Sequence, residues 1–251
     1  MVGVARNLLD NAKIWTEISG SLDTLSNMAV RKRKSFKADP EGTEFRTRRM
    51  KGLSDLPNLA QSEWMLPDGY LSYRMATGKS SVRERGKFVE KQQLLYLMID
   101  SSGSMYGENV SKACGILFNR LKAVVEGDAQ VYFRFFDDSL SEEHFAGDHE
   151  SAKEAMRILS KHNFRGGGTQ IAPCAHKCLD RISEIMESNE HQFAVPELII
   201  ITDGIDNTID RLTVKNFADV GTKLHSFIID YENKPLIELA RQTGGVGMEN
   251  L

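Results

Sequence analysis

A run of apolar residues near the middle of the chain ends in an aspartate and a short polar loop, and it reads Leu94-Leu95-Tyr96-Leu97-Met98-Ile99-Asp100-Ser101-Ser102-Gly103-Ser104-Met105. Six consecutive apolar residues without alternation indicate a strand that is buried on both faces. The apolar positions from Val110 to Val124 then recur with helical spacing, so a helix follows the loop. The loop therefore lies between a strand and a helix, where open α/β sheets place their ligand sites.

Three side chains of this loop carry oxygen atoms that suit a small divalent cation: Asp100, Ser102 and Ser104. Mg²⁺ prefers octahedral oxygen coordination and keeps several of its waters. Mn²⁺ accepts the same oxygen ligands, so the sequence does not distinguish the two ions. One carboxylate and two neutral hydroxyls leave the ion under-neutralised, and it would keep Lewis acidity toward an incoming carboxylate. We therefore expect a docking site, provided that the chain supplies further ligands elsewhere.

Two later stretches offer such ligands. Gly166-Gly167-Gly168-Thr169 places a hydroxyl after a flexible glycine run. Leu198-Ile199-Ile200-Ile201 is a second buried apolar run, and it ends in Thr202-Asp203-Gly204. Asp, Ser and Gly are also common turn residues, but turn chemistry does not explain all three stretches together.

The three stretches, in this order, resemble the metal-ion-dependent adhesion site (MIDAS) of von Willebrand factor A (VWA) domains, over about residues 91–251. The resemblance implies that Ser102, Ser104 and Thr169 contact the metal through hydroxyls. It also implies that Asp100 and Asp203 hold the metal directly or through water. An acidic side chain of a partner protein would fill the last position. The implied function is a non-enzymatic, metal-dependent protein-interaction module.

The elements that follow alternate between strands and helices, which predicts an α/β fold with a doubly wound, mostly parallel sheet flanked by helices, of VWA or Rossmann-like type. Strands are expected near 129–136, 139–145, 198–203 and 224–229, and helices near 152–159, 171–186, 213–222 and 236–242. We expect the VWA domain at residues 91–251. Residues 1–90 are expected to form a mainly helical N-terminal extension, because apolar residues recur with near-helical spacing up to Met28.

Composition sets limits on the function. The net charge of −3 implies no general affinity for nucleic acid or membranes. The longest apolar run is far shorter than a membrane span, and the first residues lack a secretory signal pattern. Three cysteines within helical patterns suggest reduced thiols, so we expect a cytoplasmic protein.

The segment at about 31–51 is strongly basic, with nine Lys or Arg and three Asp or Glu residues. We interpret it as a solvated linker. The alternative is a scaffold that binds nucleic acid or acidic lipid through this segment. Only Phe36 and Phe45 lie among the basic residues, which gives little support to base stacking.

Two contexts resemble the intracellular MoxR-associated (ViaA- and CoxE-like) branch of VWA proteins. One is the Leu-Pro pattern with its basic connector in residues 52–90, and the other is Phe164-Arg165-Gly166-Gly167. This resemblance implies a chaperone-like adaptor that works with a MoxR-type AAA+ ATPase.

The sequence motifs expected of a phosphatase, a phosphate-binding loop or a zinc site are incomplete in this chain. An aspartyl phosphatase normally has a second acid two residues after its nucleophile, where this chain has Ser102. The glycine run lacks the Lys of a phosphate-binding loop. Cys174 and Cys178 share a helix face but His176 does not, so no tetrahedral zinc site is visible. Asp137, Asp138 and Asp206 lie near the expected site and are interpreted as structural.

Overall fold

A computed structural model describes residues 13, 16–20, 22, 33–162, 164, 166–189, 192–206 and 208–250. The chain divides into two units. Residues 34–90 form one, which we call the inserted unit, and residues 1–33 with 91–251 form the other, which we call the sheet unit. None of the described helices is long and apolar enough to cross a membrane.

The inserted unit is a small three-stranded sheet with short helices. Its elements are β1 (Arg33–Ala38), β2 (Glu44–Arg49), a 3-10 turn (Leu53–Asn58), α1 (Gln61–Trp64), α2 (Asp68–Ala76) and β3 (Ser81–Lys91). The strand order is β1-β3-β2, and β2 runs antiparallel to β3. Met50, Leu59 and Val82 form its apolar core, with Leu56, Leu71 and Met75 packed against them.

Strands in this unit correct the sequence expectation of a basic linker at about 31–51 in a mainly helical extension. β1 and β2 occupy most of that segment. The Arg48 guanidinium lies 2.6 Å from Asp55 and 3.1 Å from Glu84, and Arg46 lies 2.7 Å from Glu84. The basic residues are therefore partly neutralised by acids outside the segment, which a local charge count does not detect.

The helix expected in the first thirty residues falls mostly outside the described residues. The described positions of this segment, 13, 16–20 and 22, are all helical. The Ser19 hydroxyl accepts hydrogen bonds from Asn119 at 3.1 Å and from Lys122 at 2.6 Å, and Leu22 is buried in the core of the sheet unit. This part of the segment packs on the sheet unit.

The sheet unit contains a six-stranded sheet with the order β6-β5-β4-β7-β8-β9. β6 is antiparallel to β5, and all other neighbours are parallel. The elements are β4 (Gln93–Asp100), α3 (Glu108–Val125), β5 (Ala129–Phe136), β6 (His144–Ala146), α4 (His149–Lys161), α5 (Ile171–Ser188), β7 (Glu197–Thr202), α6 (Val214–Val220), β8 (Lys223–Ile228), α7 (Lys234–Gln242) and β9 (Gly247–Met248).

Helices cover both faces of this sheet, and β4 shows why. Leu95, Leu97 and Ile99 belong to an apolar cluster with α3 and α4 on one side of the sheet. Leu94, Tyr96 and Met98 belong to a second cluster with α5 and α7 on the other side. All eight β4 residues are buried, as expected for an unbroken apolar run. The predicted α/β class with a mostly parallel, helix-flanked sheet is confirmed. The structure adds β9, a two-residue strand that the sequence analysis did not predict.

Candidate functional site

The first and second polar stretches meet at the carboxyl end of β4. The loop after Asp100 forms a 3-10 turn over Gly103–Met105, and α3 begins at Glu108. Ser102 forms an isolated β-bridge with Gly166, whose amide donates a 3.0 Å hydrogen bond to the Ser101 carbonyl. A Cβ at position 166 would lie 2.9 Å from that carbonyl oxygen, so glycine permits this approach. The glycine run is thus joined to the first loop.

Asp100 lies at the centre of the cluster and is fully buried. Its Oδ1 accepts a hydrogen bond from the Ser102 amide at 2.9 Å. Its Oδ2 accepts from the Thr202 hydroxyl at 2.7 Å and from the Thr169 hydroxyl at a longer 3.4 Å. Burial raises the pKa of the Asp100 carboxyl, and the nearby charge of Asp203 adds to the effect. A buried carboxylate of this kind is stabilised by a cation.

The predicted hydroxyl ligands line a shared cleft. The hydroxyl oxygens of Ser102 and Ser104 are 3.0 Å apart. These two serines and Thr169 line one cleft of about 560 Å³. The three hydroxyls from two separate stretches therefore face the same space.

Asp203 follows β7, the neighbour of β4, and is also fully buried. Its Oδ1 accepts a 3.2 Å hydrogen bond from the Ile205 amide. Its Oδ2 is buried and receives no hydrogen bond from any described residue. Buried carboxylate oxygens are rarely left in this state, and each such atom needs an explanation, such as an ion.

These residues fit a hard divalent cation. The structure brings together all five predicted ligand residues, which supply two carboxylates and three hydroxyls: Asp100, Ser102, Ser104, Thr169 and Asp203. Such oxygen donors suit Mg²⁺ or Mn²⁺. Within the described ranges, no group of three or more His, Cys, Asp or Glu side chains is placed to hold a metal, so the site depends on its hydroxyls. Metal binding itself stays a prediction.

Other acidic residues near the cleft have structural contacts. Asp206 accepts hydrogen bonds from the Thr208 amide and hydroxyl and from the Ile171 amide at the start of α5. Asp137 accepts from the Ser139 amide at 2.9 Å. Asp138 lies beside the glycine run, with the Gly168 amide at 3.4 Å. These contacts agree with the structural roles inferred from the sequence.

Two residues at the site were not singled out from the sequence. Thr202, part of the Thr-Asp-Gly motif, fixes the Asp100 carboxylate by its hydrogen bond. Its position directly before Asp203 is the signal that could have identified it. Arg211 is the basic side chain among those that line the cleft, and it is exposed. It lies in a 3-10 turn after β7, and no local pattern marks it.

The cysteines and His176 do not form a cluster with the metal-binding geometry considered above. Cys174 and Cys178 are buried in the apolar layer under α5. Burial raises the pKa of Cys174 to about 11 and that of Cys178 to about 12, so both thiols are protonated at neutral pH. The His176 ring lies 3.4 Å from the Arg211 carbonyl oxygen.

Comparison with known proteins gives likeness of structure only. No protein-family model and no curated protein matches the chain. The chain is similar to the structure of "von Willebrand factor type A from Catenulispora acidiphila", with 17% identity and a TM-score of 0.45 over 65% of this chain and 40% of that one. It thus spans well under two thirds of that protein's length.

Two further structures show likeness at a comparable level. The manganese-loaded TRAP protein of Plasmodium vivax has 18% identity and a TM-score of 0.47, over 63% of this chain and 68% of that chain. The VWA domain of SpRpn10 has 11% identity and a TM-score of 0.43, over 64% of this chain and 89% of that chain. Similarity at this level describes the fold alone. The interpretation of the site is based on the residues of this chain.

Proposed function

We propose that this chain is a metal-dependent protein-interaction module that binds Mg²⁺ in the cleft and, through it, an acidic side chain of a partner protein. The observation that carries the proposal is Asp203 Oδ2, a buried carboxylate oxygen with no hydrogen-bond donor among the described residues. It belongs to a residue whose charge acts on a second buried carboxylate, Asp100, and the Thr169 hydroxyl donates to that carboxylate. A divalent cation would neutralise both carboxylates and satisfy the orphaned oxygen.

The roles of the residues follow from their positions. Ser102, Ser104 and Thr169 would hold the cation through their hydroxyl oxygens, and Asp100 and Asp203 would hold it directly or through water. When bound, the cation supplies a Lewis acid that accepts a carboxylate oxygen. Hydrogen bonds fix both oxygens of Asp100 before any ligand arrives, which reduces the reorganisation that binding requires.

Electrostatics also favours an acidic partner only when metal is present. Asp138 and Asp206 line the cleft, so without a cation it repels a carboxylate.

A basic side chain also lines this cleft. Arg211 forms no ion pair with any described residue. We propose that Arg211 provides a second contact to the partner, through its planar fork of N–H donors.

Direct metal titration tests the first step. Calorimetry with Mn²⁺ and Mg²⁺ is expected to show one site in the unaltered chain and none in Asp100→Ala or Asp203→Ala, with circular dichroism unchanged. Asp219→Asn is the matched control, since Asp219 is an exposed carboxylate on α6 outside the cleft. Unchanged affinity in both alanine variants would remove this metal site from the proposal.

The finer proposal is that the chain is a cytoplasmic adaptor of a MoxR-type AAA+ ATPase. It is supported by the resemblance of residues 52–90 and of the Phe164 context to the MoxR-associated branch. Affinity capture with Mg²⁺, with chelator and with Asp100→Ala tests it. We expect such an ATPase or its client to be retained only by the metal-loaded, unaltered chain. Arg211→Gln is expected to weaken capture and to leave Mn²⁺ affinity unchanged. Equal capture under all conditions would contradict a metal-dependent contact.

We propose a binding role and not a catalytic one. The position two residues after Asp100, where a phosphatase of this type has its general acid, is Ser102, and its hydroxyl is a weak acid that lies against Ser104. Hydrolysis of a generic aryl phosphate by the Mg²⁺-loaded chain, abolished in Asp100→Asn, would instead support the hydrolase alternative.

A further inference from the structure

One face of the sheet in the inserted unit carries arginines and an aromatic ring. The register pairs Phe45 with Arg85 and Thr47 with Arg83, and cross-strand partners project to the same side. Alternation along β2 places Arg49 on this side as well. All five side chains are exposed. We call these five residues the arginine face.

The arginine face is not neutralised, in contrast to the opposite face. There, Arg46 and Arg48 form ion pairs with Glu84, and Arg48 also pairs with Asp55. On the arginine face, no described carboxylate forms an ion pair with any of the three guanidinium groups. The Arg85 Nε donates a hydrogen bond to the Gly42 carbonyl at 2.6 Å, which orients this side chain. The face therefore presents positive charge to solvent.

An aromatic ring lies among these charges. Phe45 is 49% exposed, so about half of this side chain is accessible to a ligand. The guanidinium carbon of Arg83 lies 4.4 Å from the ring centroid and that of Arg85 lies 5.8 Å away. Cation–π contacts of this kind hold the ring in place while half of its surface stays accessible. A cleft of about 640 Å³, lined in part by Phe45, Arg83 and Arg85, opens beside it.

We propose that the arginine face binds single-stranded nucleic acid, with the guanidinium groups on phosphates and Phe45 stacked on a base. Positive charge that follows the backbone, combined with exposed rings that stack on bases, is the general recognition mode for single strands. An acidic peptide would form ion pairs with the guanidinium groups but would offer no base to stack on Phe45. Duplex DNA would present its bases only within grooves. This inference does not depend on the cleft of the sheet unit or on the metal binding proposed there.

Fluorescence anisotropy of the full chain in chelator tests the proposal. The probes are labelled oligo(dT) and oligo(U) of about 20 nucleotides, the matching duplex, and vesicles that contain phosphatidylserine. We expect binding to the single strands in preference to duplex and vesicles. The logarithm of affinity should fall with the logarithm of salt by about 0.7 for each phosphate contact.

Variants separate charge from stacking. Arg49→Gln removes one phosphate contact outside the two cation–π contacts of Phe45 and should reduce the salt slope by about 0.7. Phe45→Ala should weaken binding about tenfold and leave the salt slope unchanged. The matched control is Lys177→Gln, which removes the same charge from an exposed position on α5. Circular dichroism and thermal unfolding verify that each variant is folded.

Four outcomes would overturn the inference. These are no binding of single strands at low salt, equal or tighter binding of duplex, stronger binding of vesicles than of oligonucleotides, and equal loss of affinity in the lysine control. The third outcome would point to a lipid surface, and the fourth would point to net charge in place of a defined face.

Discussion

Asp203 is a buried carboxylate whose Oδ2 receives no hydrogen bond from the described residues. An unsatisfied buried polar group costs about 1–3 kcal/mol, and more when it is charged. Asp203→Asn removes the charge and keeps the shape. In the presence of chelator, we therefore expect the free energy of unfolding to rise by about 1–3 kcal/mol, while Mn²⁺ binding is lost. Urea unfolding and calorimetry measure the two effects.

Asp206→Asn is the control for this experiment. The Asp206 carboxylate accepts hydrogen bonds from Thr208 and from the Ile171 amide, so its replacement should destabilise the chain. If Asp203→Asn destabilised the metal-free chain to the same extent, Asp203 would have a structural role and the argument for a cation would fail.

Gly204 is the position where the backbone of the site depends most on glycine. Its φ is +105°, and a Cβ would lie 2.6 Å from the Tyr231 carbonyl oxygen. We expect Gly204→Ala to lower the free energy of unfolding by about 3 kcal/mol or more. Gly221→Ala is the matched control, because Gly221 has a φ of +68° but no atom near its Cβ position. It should cost about 1–2 kcal/mol, and equal urea midpoints for the two variants would contradict the steric argument.

The sequence offered Asp100, Ser102, Ser104 and Asp203 as candidate ligands because they stand in short motifs directly after apolar strands, and it offered Thr169 because it follows a glycine run between two helices. The contacts among them were not predictable in the same way. The bond from Thr202 to Asp100 depends on β4 and β7 being neighbours in the sheet, which residue spacing does not reveal. Arg211 reaches the cleft through a turn that has no periodicity.

The strands differ in how clearly their sequences predict them. β4 and β7 are continuous apolar runs, because both of their faces are covered by helices. Five of the six β2 residues are exposed and Arg48 is partly buried, while Arg46 and Arg48 pair with acids distant in sequence. A strand without buried apolar residues shows no apolar alternation, and the sequence of this segment therefore favours a linker.

The same ion pairs predict acid sensitivity of the inserted unit. The Arg48 guanidinium holds the pKa of the Asp55 carboxyl well below its usual range, and Arg46 lowers that of Glu84 in the same way. The native state then binds fewer protons than the unfolded state. The stabilisation is present above the ordinary carboxyl pKa of about 4 and is lost as the pH falls through the lowered values.

Hydrogen exchange on peptides from residues 81–90, corrected for the intrinsic pH dependence, measures this effect. We expect protection to decrease progressively as the pH falls below about 5, and the decrease to continue below about pH 3 because the native pKa values are lowered. In Asp55→Asn, protection should be lower at neutral pH and should change less on acidification. Equal pH dependence in the two proteins would show that another group is responsible.

Because the chain contains two units, the unit that binds the metal can be identified as the one that Mg²⁺ stabilises. A ligand that binds only the native state stabilises it by RT ln(1 + [L]/Kd), about 2.7 kcal/mol at 100 times Kd. We expect Mg²⁺ to raise the unfolding temperature of the sheet unit and to leave that of the inserted unit unchanged. Calorimetry measures the unfolding temperatures, and peptide-resolved hydrogen exchange shows which unit unfolds in each transition.

Asp100→Ala should remove the Mg²⁺ effect on the unfolding temperature. A shift of the inserted unit in this variant would show that the cation binds there as well.

Residues 34–90 lie in the sequence between the N-terminal segment and the rest of the sheet unit. The stabilities of the two units are therefore coupled through the entropy of loop closure. The segment that contains Ser19 and Leu22 docks on the sheet unit, and the chain returns to that unit only after residue 90. When the inserted unit unfolds, docking of this segment must close a long flexible loop, and the cost of closure grows with loop length by about 0.6 kcal/mol for each doubling. Folding of residues 34–90 removes these residues from the length of chain that closure must restrain. Anything that stabilises the inserted unit therefore also favours docking of the N-terminal segment on α3, through the length of the loop alone.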